Sequence, residues 1–297
     1  MNRRNFIGLA GTFAAASLTP AWAHAVTAPK YKLGLQLYSL NAEMKKDPRS
    51  TLQQVASYGY QEVETYGFNH GGNKFYWNME PAAFHELLQE FNLTSSSGHY
   101  DIDKFLLPGV TVDERKKYLD DCIKGAKALG QQYIVWPWLD PQLRNPESFR
   151  LLAQTLNEMG EQVKQAGLQL LYHNHNFEFV ANNGKTGYDI LLSQTDPGLV
   201  KLELDLYWAI RSGQDPQRLF ALQPGRFVIW HIKDMDKNDP DLHAVVGDGS
   251  IDFTKILPYA KQAGLKHLFV EQGNNYVPSA LECVAKSARF VKEKIFR

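Results

Sequence analysis

The sequence predicts an α/β protein with a single (β/α)8 TIM barrel, and three observations support this fold. Short apolar strands alternate with amphipathic helices, as in folds of parallel strands with right-handed crossovers. The alternation occurs eight times over about 265 residues, which matches such a barrel in number and length. The alternative, a doubly wound open sheet, usually carries a glycine-rich phosphate loop after its first strand. Here the corresponding loop consists of residues 38–41, which contain no glycine.

Each predicted strand is a short, mostly apolar run that is followed by a loop and a helix. In chain order the strands cover residues 32–38, 61–65, 93–98, 133–136, 168–173, 200–205, 227–232 and 267–271. The helices carry apolar residues at helical spacing, and two of them end just before Gly130 and Gly167, a common way to end a helix. No linker divides the chain after its first 30 residues or so, and we therefore expect one domain over residues 30–297.

The N-terminal residues 1–25 have the pattern of a twin-arginine signal peptide. Arg3 and Arg4 precede Phe6, and a short alanine-rich apolar stretch follows. Residues 21–25 then provide Ala-x-Ala cleavage sites. The pattern predicts that the twin-arginine export machinery carries the precursor to the periplasm. The alternative interpretation is a basic amphipathic N-terminal helix.

Composition excludes several classes of partner. The 32 Lys and Arg residues balance 32 Asp and Glu residues, and a neutral chain without a basic block is a poor binder of nucleic acid. Two cysteines, Cys122 and Cys283, cannot form a disulfide framework and lack the spacing of metal ligands. No apolar run of 18 residues follows the N-terminal segment, so we expect no membrane span in the mature form. A homo-oligomer is compatible with the sequence.

Polar side chains gather at the ends of the fifth and sixth predicted strands, where a barrel of this type places its chemistry. His173 and His175 share one face because residues two apart on a strand point the same way, and Glu178 follows them. Glu203 and Asp205 alternate with leucines, so both are expected to point into the barrel. Buried charges need partners, and for Glu203 a salt bridge with a nearby lysine is the competing interpretation.

The seventh and eighth strands add three further polar residues. His231 and Lys233 share a face, and Glu271 ends an apolar run, where a carboxylate needs a cationic partner. For Lys233 the competing interpretation is a salt bridge to Glu203 or Asp234. Asp205, His231 and Glu271, with either His173 or Glu178, form a mixed nitrogen and oxygen set. Such ligands suit Mn²⁺, Co²⁺, Fe²⁺ or Zn²⁺, among which the sequence does not choose.

Several segments resemble the xylose isomerase-like barrel superfamily of sugar isomerases, epimerases and inosose dehydratases. The resemblance covers nearly all of residues 31–297. It is carried by Gly-Leu-Gln-Leu-Tyr-Ser at 34–39, His-Asn-His at 173–175, Leu-Asp at 204–205, Trp208, Gly-Gln-Asp-Pro at 213–216, His-Ile-Lys-Asp at 231–234, Val-Gly-Asp-Gly-Ser-Ile-Asp-Phe at 246–253 and Val-Glu at 270–271. The resemblance implies a divalent metal held by Glu, Asp, His and Glu from strands five to eight.

The last three ligands of the family pattern fall on Asp205, His231 and Glu271. The first falls on His173 instead of a glutamate, and the nearest carboxylate is Glu178, five residues later. We favour Glu178 over His173 as the fourth ligand. Epimerases of the family use two metal-bound glutamates as paired acid and base, so a histidine at the first position weakens the case for two-base epimerisation. Elimination or hydration at a keto-sugar is the competing reaction.

The implied chemistry is removal of a proton next to a sugar carbonyl. Glu271 is the first choice as base, with His173 or His175 as the partner acid, and Lys233 would neutralise developing negative charge. The residues expected to form walls for a sugar ring, with simple packing as the alternative for the aromatic ones, are Tyr38, His99, Trp136 and Trp208.

Three hypotheses follow for the function. The leading one is a divalent-metal-dependent isomerase or epimerase that acts on a free or oxidised sugar. The second is a lyase or hydratase that acts on keto-sugars or keto-glycosides, as an inosose dehydratase does. The third is a periplasmic sugar-binding protein without turnover. A phosphorylated substrate is not expected, because an exported enzyme rarely meets sugar phosphates and the chain has no phosphate loop.

Overall fold

The chain forms a closed barrel of eight parallel strands with helices around it. The structure is a computed structural model that describes residues 31–68 and 75–296. Neighbouring strands follow chain order, and the first strand pairs with the last. This arrangement confirms the predicted (β/α)8 TIM barrel. The predicted signal peptide lies outside the described residues. Within those residues, the helices are too short or too polar for any of them to cross a bilayer.

The barrel strands lie close to their predicted positions. They are β1 (Gly34–Gln36), β2 (Glu62–Thr65), β3 (Thr94–His99), β4 (Tyr133–Trp136), β5 (Gln169–His173), β6 (Val200–Asp205), β7 (Phe227–Ile232) and β8 (His267–Val270). Only β1 departs by more than one residue at either end. It stops at Gln36 because a 3-10 helix, Leu37–Leu40, follows, and the Gln36 side chain accepts a hydrogen bond from the Tyr38 N–H.

The helices around the barrel vary in length from one turn to five. They are α1 (Asn41–Lys46), α2 (Pro48–Ser57), α3 (Pro81–Glu90), α4 (Val112–Ala128), α5 (Pro146–Gln165), α6 (Gly187–Gln194), α7 (Leu206–Arg211), α8 (Pro216–Leu222), α9 (Phe253–Ile256), α10 (Ala260–Ala263) and α11 (Ala280–Phe290). Side chains satisfy free N–H groups at several helix starts: Asn145 caps α5, and Thr111 forms a capping box with Glu114 on α4.

Alternation along the strands separates two regions of the core. Most buried apolar side chains lie between strands and helices, and Trp136 and Tyr172 are among them. A smaller cluster fills the inside of the barrel and includes Leu171, Ile229 and Phe269. Because residues two apart on a strand share a face, the residue two positions after each of these also points into the barrel, nearer its C-terminal end. This is how β5, β7 and β8 deliver polar side chains to one place.

Asp234 explains the glycine-rich segment 247–253, which is the most distinctive part of the sequence. Its buried carboxylate accepts backbone hydrogen bonds from Met235, Gly247, Gly249 and Ile251. A Cβ on Gly249 would lie 2.3 Å from Asp234 Oδ1, so only glycine permits this close approach. The carboxylate thus ties the loop before α9 to the end of β7.

Candidate active site

Charged and polar side chains from six strands meet at the C-terminal end of the barrel. All of them are buried except His99, which is partly buried. The set consists of Glu64 on β2, His99 on β3, His173 on β5, Glu203 and Asp205 on β6, His231 on β7, and Lys233 and Glu271 just after β7 and β8. Burial of so many ionisable groups requires close pairing.

One half of this cluster surrounds the ammonium group of Lys233. Lys233 Nζ lies 2.8 Å from Asp205 Oδ2 and 2.8 Å from Glu271 Oε2. His231 Nδ1 lies 2.7 Å from the same oxygen of Glu271. Asp205 Oδ1 accepts a hydrogen bond from the Trp208 N–H and so caps α7. The Asp205 carboxylate therefore has one structural oxygen and one oxygen that faces the cationic groups of the cluster.

The other half consists of carboxylates that orient imidazole rings. Glu203 Oε2 lies 2.8 Å from His173 Nδ1 and 2.8 Å from His99 Nε2. Glu64 Oε2 lies 2.7 Å from His231 Nε2, and Gln36 Nε2 donates to the same oxygen. His99 and His173 thus each have one ring nitrogen held by glutamate, whereas His231 has a glutamate at both nitrogens, Glu64 at Nε2 and Glu271 at Nδ1. This is how metal-binding histidines are usually held in place and in one tautomer.

Pairing and burial shift the pKa values in opposite directions. Burial alone would raise the pKa of Glu203, but the neighbouring imidazoles lower it to about 2. Burial likewise opposes a charge on His99, yet Glu64 and Glu203 raise its pKa to about 10. Burial lowers the pKa of His173 well below its ordinary value, so this ring is neutral at pH 7. Its Nδ1–H then donates to Glu203 and Nε2 keeps a free lone pair.

Lys233 and His231 also act on the carboxylate at the end of β8. Although burial would raise the pKa of Glu271, Lys233 and His231 hold it well below the ordinary range of a glutamate. Asp205 differs, because burial outweighs Lys233 and raises its pKa. Glu271 is therefore ionised at pH 7.

The residues fit a divalent cation. Asp205, His231 and Glu271 offer ligand atoms that all lie within 4.8 Å of one another, and the donors are the nitrogen and oxygen atoms that transition metals accept. Glu203 Oε1 is buried and accepts no hydrogen bond from the described residues, and Asp205 Oδ2 lies 2.8 Å from Lys233 Nζ. The carboxylates outnumber the one permanent cation, Lys233. The described residues thus contain a potential metal-binding cluster.

A cavity of about 400 Å³ opens above this cluster. Its lining comprises Tyr38, Tyr66, Gly67, His99, Asp101, Pro137, Trp138, His173, His175 and Glu271. His175 is partly buried, and its Nδ1 atom has no hydrogen-bond partner among the described residues. Burial and Lys233 lower its pKa to about 3, so the ring is neutral at pH 7.

Most of the sequence-predicted site residues meet here, but two do not. Glu178 lies on the helix side of β5, where Tyr172 Oη donates to Oε1 and the His175 N–H donates to Oε2. Both oxygens are occupied, so the structure does not bring Glu178 to the cluster. Trp136 also points outward into the helix-side core, because strand alternation turns it away from the barrel interior.

The remaining predicted wall residues occupy different places. Tyr38 and His99 line the cavity. Trp208 does not line it but lies beside it, with its ring centroid 5.6 Å from that of His175 and 5.7 Å from Lys233 Nζ. Lys233 pairs with Asp205 and Glu271 and not with the carboxylates that the sequence suggested.

Sequence reasoning missed several residues of the site. Glu64 comes from β2 and Asp101 follows β3, two strands from which only His99 was expected to contribute to the site. Trp138 takes the place at the cavity that was expected for Trp136. For Glu203 a salt bridge with a lysine was the competing interpretation, but this carboxylate pairs with histidines. The inward parity of Glu64 on β2 was the one signal that could have revealed it.

Comparisons with known proteins agree with the barrel fold. A crystal structure of a sugar phosphate isomerase/epimerase from Parabacteroides distasonis has a TM-score of 0.77 and 28% identity, and covers 97% of this chain and 99% of its own. The IolI protein, in a crystal structure with a zinc atom, has a TM-score of 0.67 and 17% identity, and covers 90% of this chain and 99% of its own. At that identity the likeness shows the fold alone.

Sequence relatives include an inosose dehydratase from Clostridium perfringens, which is 28% identical over 168 residues. The match covers 50% of this chain and 56% of that enzyme, so the chain spans about half the length of the curated relatives it matches. The family model for xylose isomerase-like TIM barrels matches residues 52–294, which is most of the sequence. The chain therefore belongs to the xylose isomerase-like TIM barrel family.

Proposed function

We propose that this protein is a divalent-metal-dependent carbohydrate isomerase or epimerase that removes a proton next to the carbonyl of a free or oxidised sugar. The observation that carries the proposal is the buried cluster of Asp205, His231 and Glu271, of which Glu271 lines the cavity. A cation site and proton-transfer groups in one polar cavity are what this chemistry needs. The enzymes among the relatives support the general class.

We assign the metal ligands to Asp205, His231, Glu271 and His173. His173 replaces Glu178 as fourth ligand because its Nε2 lies 3.9 Å from Asp205 Oδ2, while Glu203 holds Nδ1. The bound ion, of the Mn²⁺, Co²⁺, Fe²⁺ or Zn²⁺ class, would supply Lewis-acid polarisation of the substrate oxygens. Lys233, whose ammonium group lies between the two carboxylates, would neutralise negative charge that develops on a substrate oxygen.

We assign proton transfer to Glu271 and His175. Both line the cavity, and they follow β8 and β5, which are separated by two strands of the barrel. His175 suits this role better than His173, because Glu203 holds a ring nitrogen of His173 whereas His175 Nδ1 has no partner among the described residues. Two groups at different sides of one substrate carbon can deliver and remove a proton.

Elimination is the second candidate, and the inosose dehydratase relatives favour it. In that reaction Glu271 would take the proton from carbon and, as the protonated carboxyl, give it to the departing hydroxyl or aglycone, while the neutral ring of His175 would hydrogen-bond that oxygen. A periplasmic sugar-binding protein without turnover is the third candidate. For all three we propose export to the periplasm, on the strength of Arg3 and Arg4 in the sequence.

The test is deuterium incorporation from D₂O into keto-sugars by the metal-loaded protein. We expect exchange at the carbon next to the carbonyl, and Glu271→Gln and His175→Asn should each lower its rate at least about 100-fold. His85→Asn is the matched control, since this histidine lies on α3 and bonds to Gln89 and the Leu129 carbonyl. Metal content is measured alongside, because Glu271 is also a proposed ligand.

The products separate the candidates. Exchange with a rearranged sugar supports an isomerase or epimerase, whereas exchange with loss of water or aglycone supports a lyase. Tight sugar binding without exchange would leave the sugar-binding protein without turnover as the remaining candidate. Full exchange activity in protein freed of metal by a chelator would refute metal dependence.

A further inference from the structure

The cavity changes character from its floor to its mouth. At the floor, His173 is 2% exposed and Glu271 is 7% exposed. At the mouth, Trp138 is 39% exposed and Tyr38 is 45% exposed. These two rings follow β4 and β1, with β2 and β3 between them on the barrel rim. A ligand that fills the cavity therefore meets ionised groups at one end and open aromatic rings at the other.

Trp138 is held in place although it is exposed. The guanidinium carbon of Arg144 lies 4.4 Å from the centre of the Trp138 ring and 3.8 Å from that of Phe177. Arg144 Nε in turn donates to the Leu139 carbonyl at 3.0 Å. His175 packs edge-on against the indole, with ring centroids 5.0 Å apart. A large apolar ring that is fixed before binding loses little entropy when a ligand covers it.

The charges at the cavity disfavour an anionic ligand. Among the described residues that line it, no lysine or arginine occurs, while Asp101 and Glu271 both carry carboxylates. Of two cations near the described lining, Lys233 is already paired with Asp205 and Glu271, and Arg144 lies against the rings of Trp138 and Phe177. A phosphate monoester needs cationic or helix N-terminal donors, and the described lining offers neither lysine nor arginine for it.

We propose that Trp138 and Tyr38 form an outer subsite that binds the second ring of an uncharged glycoside. The proposal rests on the proposed function and names its substrate class: the reacting keto-sugar lies on the floor, and its glycosidic partner, a sugar or an aglycone, stacks on the indole at the mouth. Sugar rings present flat C–H faces to aromatic planes, which accounts for an exposed tryptophan beside a polar floor.

The test compares binding of monosaccharides and their glycosides by calorimetry on the metal-loaded protein. The probes are glucose, galactose, their disaccharides, their phenyl glycosides and their 1-phosphates, none of which carries the keto group that reacts. We expect the glycosides of at least one sugar to bind at least about tenfold more tightly than the parent sugar. Trp138→Ala should remove most of that advantage, and Trp138→Phe, which keeps a ring, should retain part of it.

Val180→Ala is the matched control, because Val180 is exposed in the loop after β5 and does not line the cavity. It should preserve the advantage, and thermal unfolding of every variant checks the fold. Equal binding of sugars and glycosides, tighter binding of the 1-phosphates, or no binding of any probe would each overturn the subsite.

Deuterium exchange distinguishes the two proposals. Exchange with keto-monosaccharides as fast as with keto-glycosides would keep the proposed function and overturn the subsite. Trp138-dependent glycoside binding without exchange on any keto-sugar would keep the subsite and overturn the proposed function.

Discussion

Replacing Glu203 with glutamine tests whether this buried carboxylate positions a metal ligand. Glu203 Oε2 accepts hydrogen bonds from His173 Nδ1 and His99 Nε2, and it does not belong to the proposed ligand set. Glutamine has nearly the same shape but no charge, and only one of its two terminal atoms can accept a hydrogen bond. His173 should then lose its fixed tautomer and its orientation toward Asp205.

The expected loss follows from the two hydrogen bonds. Both have N···O distances of 2.8 Å and a charged acceptor, and such bonds contribute about 1.5–3 kcal/mol each. Because the amide oxygen can keep one of the two, only part of this energy is lost. Removal of a group that orients a metal-bound histidine usually costs about 10- to 100-fold in metal affinity. We expect about tenfold, or about 1.4 kcal/mol, for Glu203→Gln.

The assay is competition for Co²⁺ or Zn²⁺ with a fluorescent chelator, which measures affinity without any substrate. Glu62→Gln is the matched control. Glu62 is also a buried barrel carboxylate, and it bonds to His267 Nδ1 at 2.9 Å at the N-terminal end of the barrel. Glu203 pairs with two imidazole rings and Glu62 with one, so both variants should lower the free energy of unfolding. Only Glu203→Gln should weaken metal binding.

Wild-type metal affinity in folded Glu203→Gln would refute the role of Glu203 in holding His173. Equal weakening in Glu62→Gln and Glu203→Gln would show a general loss of barrel stability. If metal is lost only from a Glu178 variant, Glu178 is the fourth ligand after all.

Three further predictions concern other parts of the chain. Burial raises the pKa of Glu178 to about 7, above its unfolded value of about 4.5. The protonated carboxyl therefore stabilises the fold fully below about pH 4.5. This contribution to the free energy of unfolding, up to about 3 kcal/mol, is lost as pH rises through 7. Urea unfolding at pH 5 and pH 8 should show Glu178→Gln gaining stability relative to wild type as pH rises, and a pH-independent difference would contradict this. Four backbone N–H groups of other residues donate to the Asp234 carboxylate, and Asp234→Asn leaves some of them without an acceptor. The free energy of unfolding should then fall by about 1–3 kcal/mol. An unchanged urea midpoint would contradict the role of this carboxylate. Replacing Arg3 and Arg4 with lysine should leave precursor in the cytoplasm on cell fractionation, whereas normal periplasmic protein would refute the twin-arginine interpretation.

The sequence by itself was sufficient for the barrel. Strand positions depend on local apolar runs and on the helices between them, and seven of the eight strands agree with prediction to within one residue at each end. The error at β1 has a local cause that hydropathy does not show: Gln36 turns its side chain back to the Tyr38 N–H and begins a 3-10 helix. Asp205, His231 and Glu271 could be found because each ends a strand with the right parity.

Only the tertiary structure decided which polar groups meet. Glu178 is five residues from His173 in sequence, yet the turn after β5 carries it to Tyr172 on the opposite side of the strand. Glu64 is 167 residues from His231 in sequence, yet the closed barrel places their side chains 2.7 Å apart. Local patterns show which face a side chain takes, but partners across a barrel depend on strand register and closure. Pairing of buried charges is for that reason a property of the whole fold.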